Sequence, residues 1–149
     1  MKINITKKEY RLLLDVFSIA TWVMNSHKYE PSPKSIPYEN LEQKFMAFAK
    51  DFGFKNLVEY DQKLETYYST REYEEAESDM EFIDDFEEDS FWEKLGSNLA
   101  KRDLTNKIGL QQFENMEPFD RFQEVDRMAA KYHEEFEKNG IKNLIISKA

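Results

Sequence analysis

Thirty carboxylates and two histidines hold most of the chemistry open to this 149-residue sequence, which contains no cysteine. Without a thiol there is no cysteine nucleophile, no disulfide and no cysteine-ligated zinc or iron–sulfur centre. Neither His27 nor His133 has a Glu three residues before it, so the paired Glu-x-x-His units of carboxylate-bridged di-iron sites are missing. His133-Glu134 with Glu137 matches the first half of a zinc-protease helix, but Glu137 stands where the second histidine belongs. The acidic run 84–89 has no central glycine and does not suit a calcium loop. There is no Gly-x-Ser-x-Gly elbow, phosphate-cradling glycine loop or dinucleotide fingerprint. The sequence therefore predicts no metal and no cofactor. A carboxylate pair working as acid and base is the one enzymatic arrangement that so many acids leave open.

Two other features bear on function. Lys8, Arg11, Asp15, Ser18 and Asn25 follow one narrow polar stripe along the first expected helix, with Thr21 on its edge, while apolar residues cover the remaining circumference from Leu12 to Met24. In one reading Asp15 and Ser18 line an inward pocket completed by Arg102 and Asp103, which would make the chain a small enzyme or ligand binder. In the other the stripe faces water, or a buried Asp15 or Asp103 pairs with Arg11 or Arg102 only to fix helix register, because a buried carboxylate is costly unless paired.

The second feature is a block of twelve carboxylates and no Lys or Arg in residues 72–93. The other eighteen acids face all twenty-one bases, so the net charge of −9 resides in this block. Like charges at four-residue spacing cost a helix a few tenths of a kcal/mol per pair, a penalty that a docking role or solubility would offset. The residues expected to form a docking face are Glu74, Glu75, Glu77, Asp79, Glu81, Asp84, Asp85 and Glu88, and the expected occupant is a basic protein steered by the acidic field. Imitation of a nucleic-acid backbone is a special case of such docking, and a merely solubilising face is the competing account. Direct nucleic-acid binding is disfavoured, since phosphates would be repelled and no basic stripe compensates.

The elements that must position these residues read as helices. Only four glycines occur in the chain, too few for a turn-rich sheet protein, and 15% of residues are aromatic, enough for a substantial core. Thr6 and Glu9 form a capping box that opens helix one over about residues 7–27. Pro31, Pro33 and Pro37 then exclude helix. Tyr38, Leu41, Phe45, Phe48, Ala49 and Phe52 form one face of a second helix ending at Gly53, and residues 54–68 show no clean period. Ser69 with Glu72 opens a helix bearing Tyr73, Ala76, Met80 and Ile83. Ser90 with Glu93 restarts it, with Phe91, Trp92, Leu95, Leu99 and Asp103 on one face before Gly109. Pro118 begins a last helix carrying Phe119, Phe122, Val125, Ala129, Tyr132 and Phe136, closed by Asn139-Gly140. The expected fold is all-α, an irregular bundle of about five helices in one domain over residues 1–149, with a minor pairing of Ile3-Asn4-Ile5 and Leu144-Ile145-Ile146 as terminal strands.

Lys7, Lys8 and Arg11 before an apolar run imitate a signal peptide, but Asp15 interrupts the run and no small-residue cleavage site follows. The run is too short to span a bilayer. A cytoplasmic protein is expected. The segments 91–95, 99–104 and 136–141 are similar to bacterial proteins to which no activity attaches, so the likeness implies no site, and the lysine-, asparagine- and isoleucine-rich vocabulary suits a low-GC bacterium. The expected role is that of an interaction protein of the adaptor, inhibitor or immunity type. Its aromatic content also leaves room for a homo-oligomer.

Overall fold

The structure, a computed structural model, describes residues 2–30 and 32–145. These form α1 (Lys7–Asn25), α2 (Ile36–Met46), β1 (Val58–Asp61), β2 (Thr66–Ser69), α3 (Arg71–Glu74), α4 (Met80–Ile108), α5 (Leu110–Asn115) and α6 (Pro118–Asn139). The protein is mostly helical with a minor antiparallel strand pairing, as expected. The pairing lies in mid-chain: residues 3–5 and 144–145 have no strand, and Ile146 lies outside the described residues. Two compact units result, Met1–Asp84 and Asp85–Ala149, with the division inside α4.

In the first unit the capping box forms as the sequence predicts. The Thr6 hydroxyl accepts from the Glu9 amide at 3.3 Å while the Thr6 amide donates to the Glu9 carboxylate at 2.7 Å. Both bonds satisfy groups that a helix start leaves orphaned. Pro37 does not exclude helix; it sits in the first turn of α2, where a proline gives up no intrahelical bond. The α-helix stops at Met46 instead of Gly53 because the chain tightens into three-residue turns, with Ala49 N–H on the Met46 carbonyl at 2.9 Å and Asp51 N–H on that of Phe48 at 2.9 Å. Its inward face agrees with the expected one only in part. Ala49 is buried and Phe45 and Phe52 pack against the core as expected, and Glu42 and Met46 are buried beside them, whereas Tyr38, Leu41 and Phe48 are exposed.

Where the sequence shows no clean period, Val58–Asp61 and Thr66–Ser69 form a hairpin. Tyr60 pairs with Tyr67 and Asp61 with Thr66 across it. The Asp61 carboxylate accepts from the amides of Lys63 and Leu64 at 2.7 and 3.1 Å, and Glu65 takes the positive φ of 51° that the turn requires. Gln43 of α2 grips the second strand: its side-chain oxygen accepts from the Tyr67 amide (2.7 Å) and the Thr66 hydroxyl (2.9 Å), and its amide nitrogen donates to the Tyr67 carbonyl (3.0 Å). The core gathers Tyr10, Leu14, Met46, Ala49, Leu57, Val58 and Tyr73. Tyr10 stacks on Phe52 with ring centroids 4.2 Å apart and donates its hydroxyl to the Phe45 carbonyl at 2.7 Å, so a large buried ring keeps its polar tip satisfied. Burial, and then the charge of Asp51, push its phenol up to about 12.

Thr70, not Ser69, caps α3 by accepting from the Tyr73 amide at 3.3 Å. The expected long helix is broken after Glu74, where the chain turns with Glu77 at a φ of 50°. The helix beginning at Met80 then runs unbroken through Ser90, with no restart there.

The second unit holds the body of α4, with α5 and α6. Trp92 meets Phe136, Asp103 meets Lys131, and Arg121 lies over the Phe113 ring, so later residues of α4 and α5 contact earlier residues of α6 and the helices run antiparallel. Ala100, Leu104, Val125 and Ala129 form the buried cluster between them. Small residues at 100 and 129 let the helices approach, and Gly96 continues that line: a Cβ there would lie 2.6 Å from two ring atoms of His133. Gly140, with φ 54°, ends α6 as the Asn139-Gly140 pair predicts.

Candidate functional site

From Arg11 to Asn25 the polar stripe of α1 faces the interior of the first unit, while Lys8 is exposed. Asp15, with a side chain 14% exposed, is ion-paired to Arg11. The same carboxylate oxygen accepts from the Tyr73 hydroxyl at 2.9 Å and the Ser78 hydroxyl at 3.1 Å. The Arg11 guanidinium also donates to the Ser78 oxygen at 2.7 Å and lies 4.7 Å from the centre of the Tyr73 ring. Burial, and then the bond to Asp15, push the Tyr73 phenol above its ordinary range. Further along, the Ser18 hydroxyl donates to Asp79, Thr21 to Glu42 at 2.9 Å and the Asn25 amide to Glu39 at 2.9 Å. Burial pushes the Glu42 carboxyl up, the Thr21 bond opposes that shift, and the charge of Glu39 adds to it. The seam joins α1 to α2 and to the loop before α4 by hydrogen bonds between side chains. Its far side is apolar and exposed at Leu12, Val16 and Val23, so α1 does not bury the apolar circumference that its sequence offers.

Arg102 and Asp103 belong to the second unit, where they have partners of their own. The Asp103 carboxylate accepts from Tyr132, from Lys131 at 2.9 Å and from Arg102 at 2.8 Å. Those three hydrogen bonds, Tyr132 first, hold its carboxyl well below the usual range. The cluster ties α4 to α6. Asp15 and Ser18 lie in the other unit, and their hydrogen bonds are made to Arg11, Tyr73, Ser78 and Asp79.

Of the acidic block, Glu74, Glu75, Glu77, Glu81, Asp84, Asp85 and Glu88 are exposed. Asp79 is the exception. It is 5% exposed and bound to Ser18, so it belongs to the buried seam and is closed to a partner. Glu75 is also held by Arg71 at 2.7 Å. Glu81, Asp84, Asp85 and Glu88 share one face of α4, at three- and four-residue steps. Phe82 and Phe86, 65% and 58% exposed, stand one position round from that face.

No family model matches the chain, and neither a curated protein nor a solved structure matches it. Function therefore has to be argued from the site itself. Among the described residues no three acidic or histidine side chains converge to hold a metal ion. No helix among them is long and apolar enough to cross a membrane.

One concavity went unpredicted. Asp89, Trp92 and Glu93 of α4 and His133, Phe136 and Glu137 of α6 line a cleft of about 420 Å³ in the second unit. Trp92 packs on Phe136 at 5.4 Å between ring centres, and its indole N–H donates to Glu88 at 3.4 Å. Sequence spacing placed Trp92 and Phe136 on apolar faces but could not show that Glu93 and Glu137, one residue further along each helix, stand at the rim between them.

Proposed function

We propose that this chain is a non-enzymatic interaction protein that presents the acidic face of α4 to a basic protein surface. The observation that carries the reading is the association on one helix of Glu81, Asp84, Asp85 and Glu88, all exposed, with the half-exposed rings of Phe82 and Phe86 beside them. A face that only keeps a protein soluble has no use for outward phenylalanines, whereas a docking face gains affinity from aromatic anchors and encounter rate from charge. The absence of cysteine accords with a reducing cytoplasm, and the composition with a low-GC bacterial source. Against a pocket on α1 stands the commitment of Asp15 and Ser18 to neighbouring side chains.

The test compares the native chain with a variant in which Glu81, Asp84, Asp85 and Glu88 become amides, both checked for native circular dichroism. The expected result is capture of a basic protein by the native chain from cells of its source, weakened by raised salt and lost in the variant. Equal capture of the same protein by both chains would overturn the reading.

A further inference from the structure

The outer side of α1 and the adjoining side of α2 make one apolar face in the first unit. On α1, Leu12, Val16 and Val23 follow at helical spacing and are 63%, 56% and 56% exposed. On α2, Tyr38 and Leu41, with Phe48 just beyond the helix, follow at three- and four-residue steps through Phe45 and are 60%, 45% and 47% exposed. Phe17 meets Phe45 at 5.1 Å between ring centres and joins the two rows. The six open side chains together expose the equivalent of more than three whole ones, on the order of 500 Å² at about 150 Å² for a large side chain. Ala20, exposed, and Leu13, Phe17, Met24 and Phe45, each open in part, fill the spaces between them. The face thus approaches the roughly 800 Å² that each partner contributes to a stable protein–protein interface, and exceeds the few hundred Å² of contiguous apolar surface that monomers ordinarily leave open.

We infer that this face is covered by the same face of a second copy of the chain, in a two-fold dimer built on α1 and α2. Charge selects the occupant. From Leu12 to Asn25 the one charged residue is Asp15, which points into the seam with Arg11, and the acidic block of residues 72–93 lies on other elements. A basic partner finds no field to steer it here, whereas two copies of a chain with a net charge of −9 can approach closely only where that block is absent. The ends of α1 are also complementary to each other. A two-fold axis near the middle of the face sets α1 antiparallel to its counterpart, so that Glu9, which heads the outer row, meets Lys28, which follows the end of the helix; both are exposed. The inference goes beyond the basic-partner reading and does not depend on it, because none of the residues of the α4 face takes part.

The test is sedimentation equilibrium of the full chain over a range of concentrations, beside Val16→Glu, with circular dichroism to check that the variant is folded. The expected result is a reversible monomer–dimer equilibrium with a dissociation constant of about 10 μM or tighter, weakened by about tenfold or more in the variant. A second measurement does not depend on a charge placed in the face. The chain has no cysteine of its own, so Ala20→Cys and Asn115→Cys, both at exposed positions, each supply a single thiol for a short bismaleimide. Covalent dimers are expected from Ala20→Cys and not from Asn115→Cys. A chain that stays monomeric throughout, a dimer equally strong in Val16→Glu, or equal cross-linking at both positions overturns the inference. So does a monomer that floats with phosphatidylcholine vesicles and loses this in Val16→Glu, which would assign the face to lipid.

Discussion

Substituting Gly96 tests how closely α4 and α6 are fitted together. A glycine inside a helix costs about 1 kcal/mol relative to alanine, so Gly96→Ala taken alone offers a gain of that size. The added methyl carbon would lie 2.6 Å from both Cδ2 and Nε2 of His133, well inside the separation of about 3.5–4.0 Å at which such atoms attract. Either the ring swings away, giving up its packing, or the helices part, and overpacking of this kind costs about 1–3 kcal/mol. In the native background Gly96→Ala is therefore expected to be neutral to destabilising by about 2 kcal/mol. No other atom approaches that position more closely than 3.8 Å, so with His133→Ala in place the obstacle is gone. There the same substitution should stabilise by about 1 kcal/mol. Urea denaturation of the four proteins, followed by circular dichroism and tryptophan fluorescence, yields the coupling energy, expected to be at least about 1 kcal/mol. If Gly96→Ala stabilises equally in both backgrounds, the packing of α4 against α6 through this pair is wrong.

Two further outcomes follow from the α1 seam. Asp15→Asn keeps the shape of the side chain but removes the charge that pairs with Arg11 and strengthens the Tyr73 and Ser78 bonds; a loss of about 1–3 kcal/mol in urea denaturation is expected, and unchanged stability would return Asp15 to the list of pocket residues. Glu42 provides the pH dependence: its folded pKa is raised, so the native state holds the proton more tightly than the unfolded chain, and this group favours folding as pH falls through the folded pKa and opposes it above. Between about pH 4 and pH 7, the urea midpoint of Glu42→Gln should move upward relative to that of the native protein as pH rises; a gap that stays constant or closes would contradict burial of the charged group.

What the sequence made legible was local. Thr6 and Glu9 sit three residues apart and satisfy each other whatever the rest of the chain does, and Asn139-Gly140 ends α6 for the same kind of reason. The hairpin was hidden because its turn lacks the glycine that usually marks one: Glu65 takes the left-handed conformation and the Asp61 carboxylate organises the loop. The stripe on α1 was visible as a stripe, but its direction depended on Glu39, Glu42, Ser78 and Asp79, distant in sequence and with no local mark of burial. Counting apolar residues around α1 therefore placed them inward, when hydrogen bonding draws the polar side in. The acidic block was plain from composition, while the departure of Asp79 from it required a partner on another element. The cleft was beyond sequence reading altogether, since only the antiparallel approach of α4 and α6 brings residues 89–93 to residues 133–137.

The grip of Gln43 on the hairpin has a consequence for how the chain behaves in company. A two-stranded ribbon has two open edges, each a row of backbone donors and acceptors ready to pair with a strand of another molecule. At Tyr67 those groups are occupied by the Gln43 side-chain amide, which presents to the strand the donor and acceptor that a neighbouring strand would offer. One glutamine thus acts as a one-residue mimic of a third strand and closes the outer edge of β2 at its middle, where growth into an intermolecular sheet would otherwise be able to start.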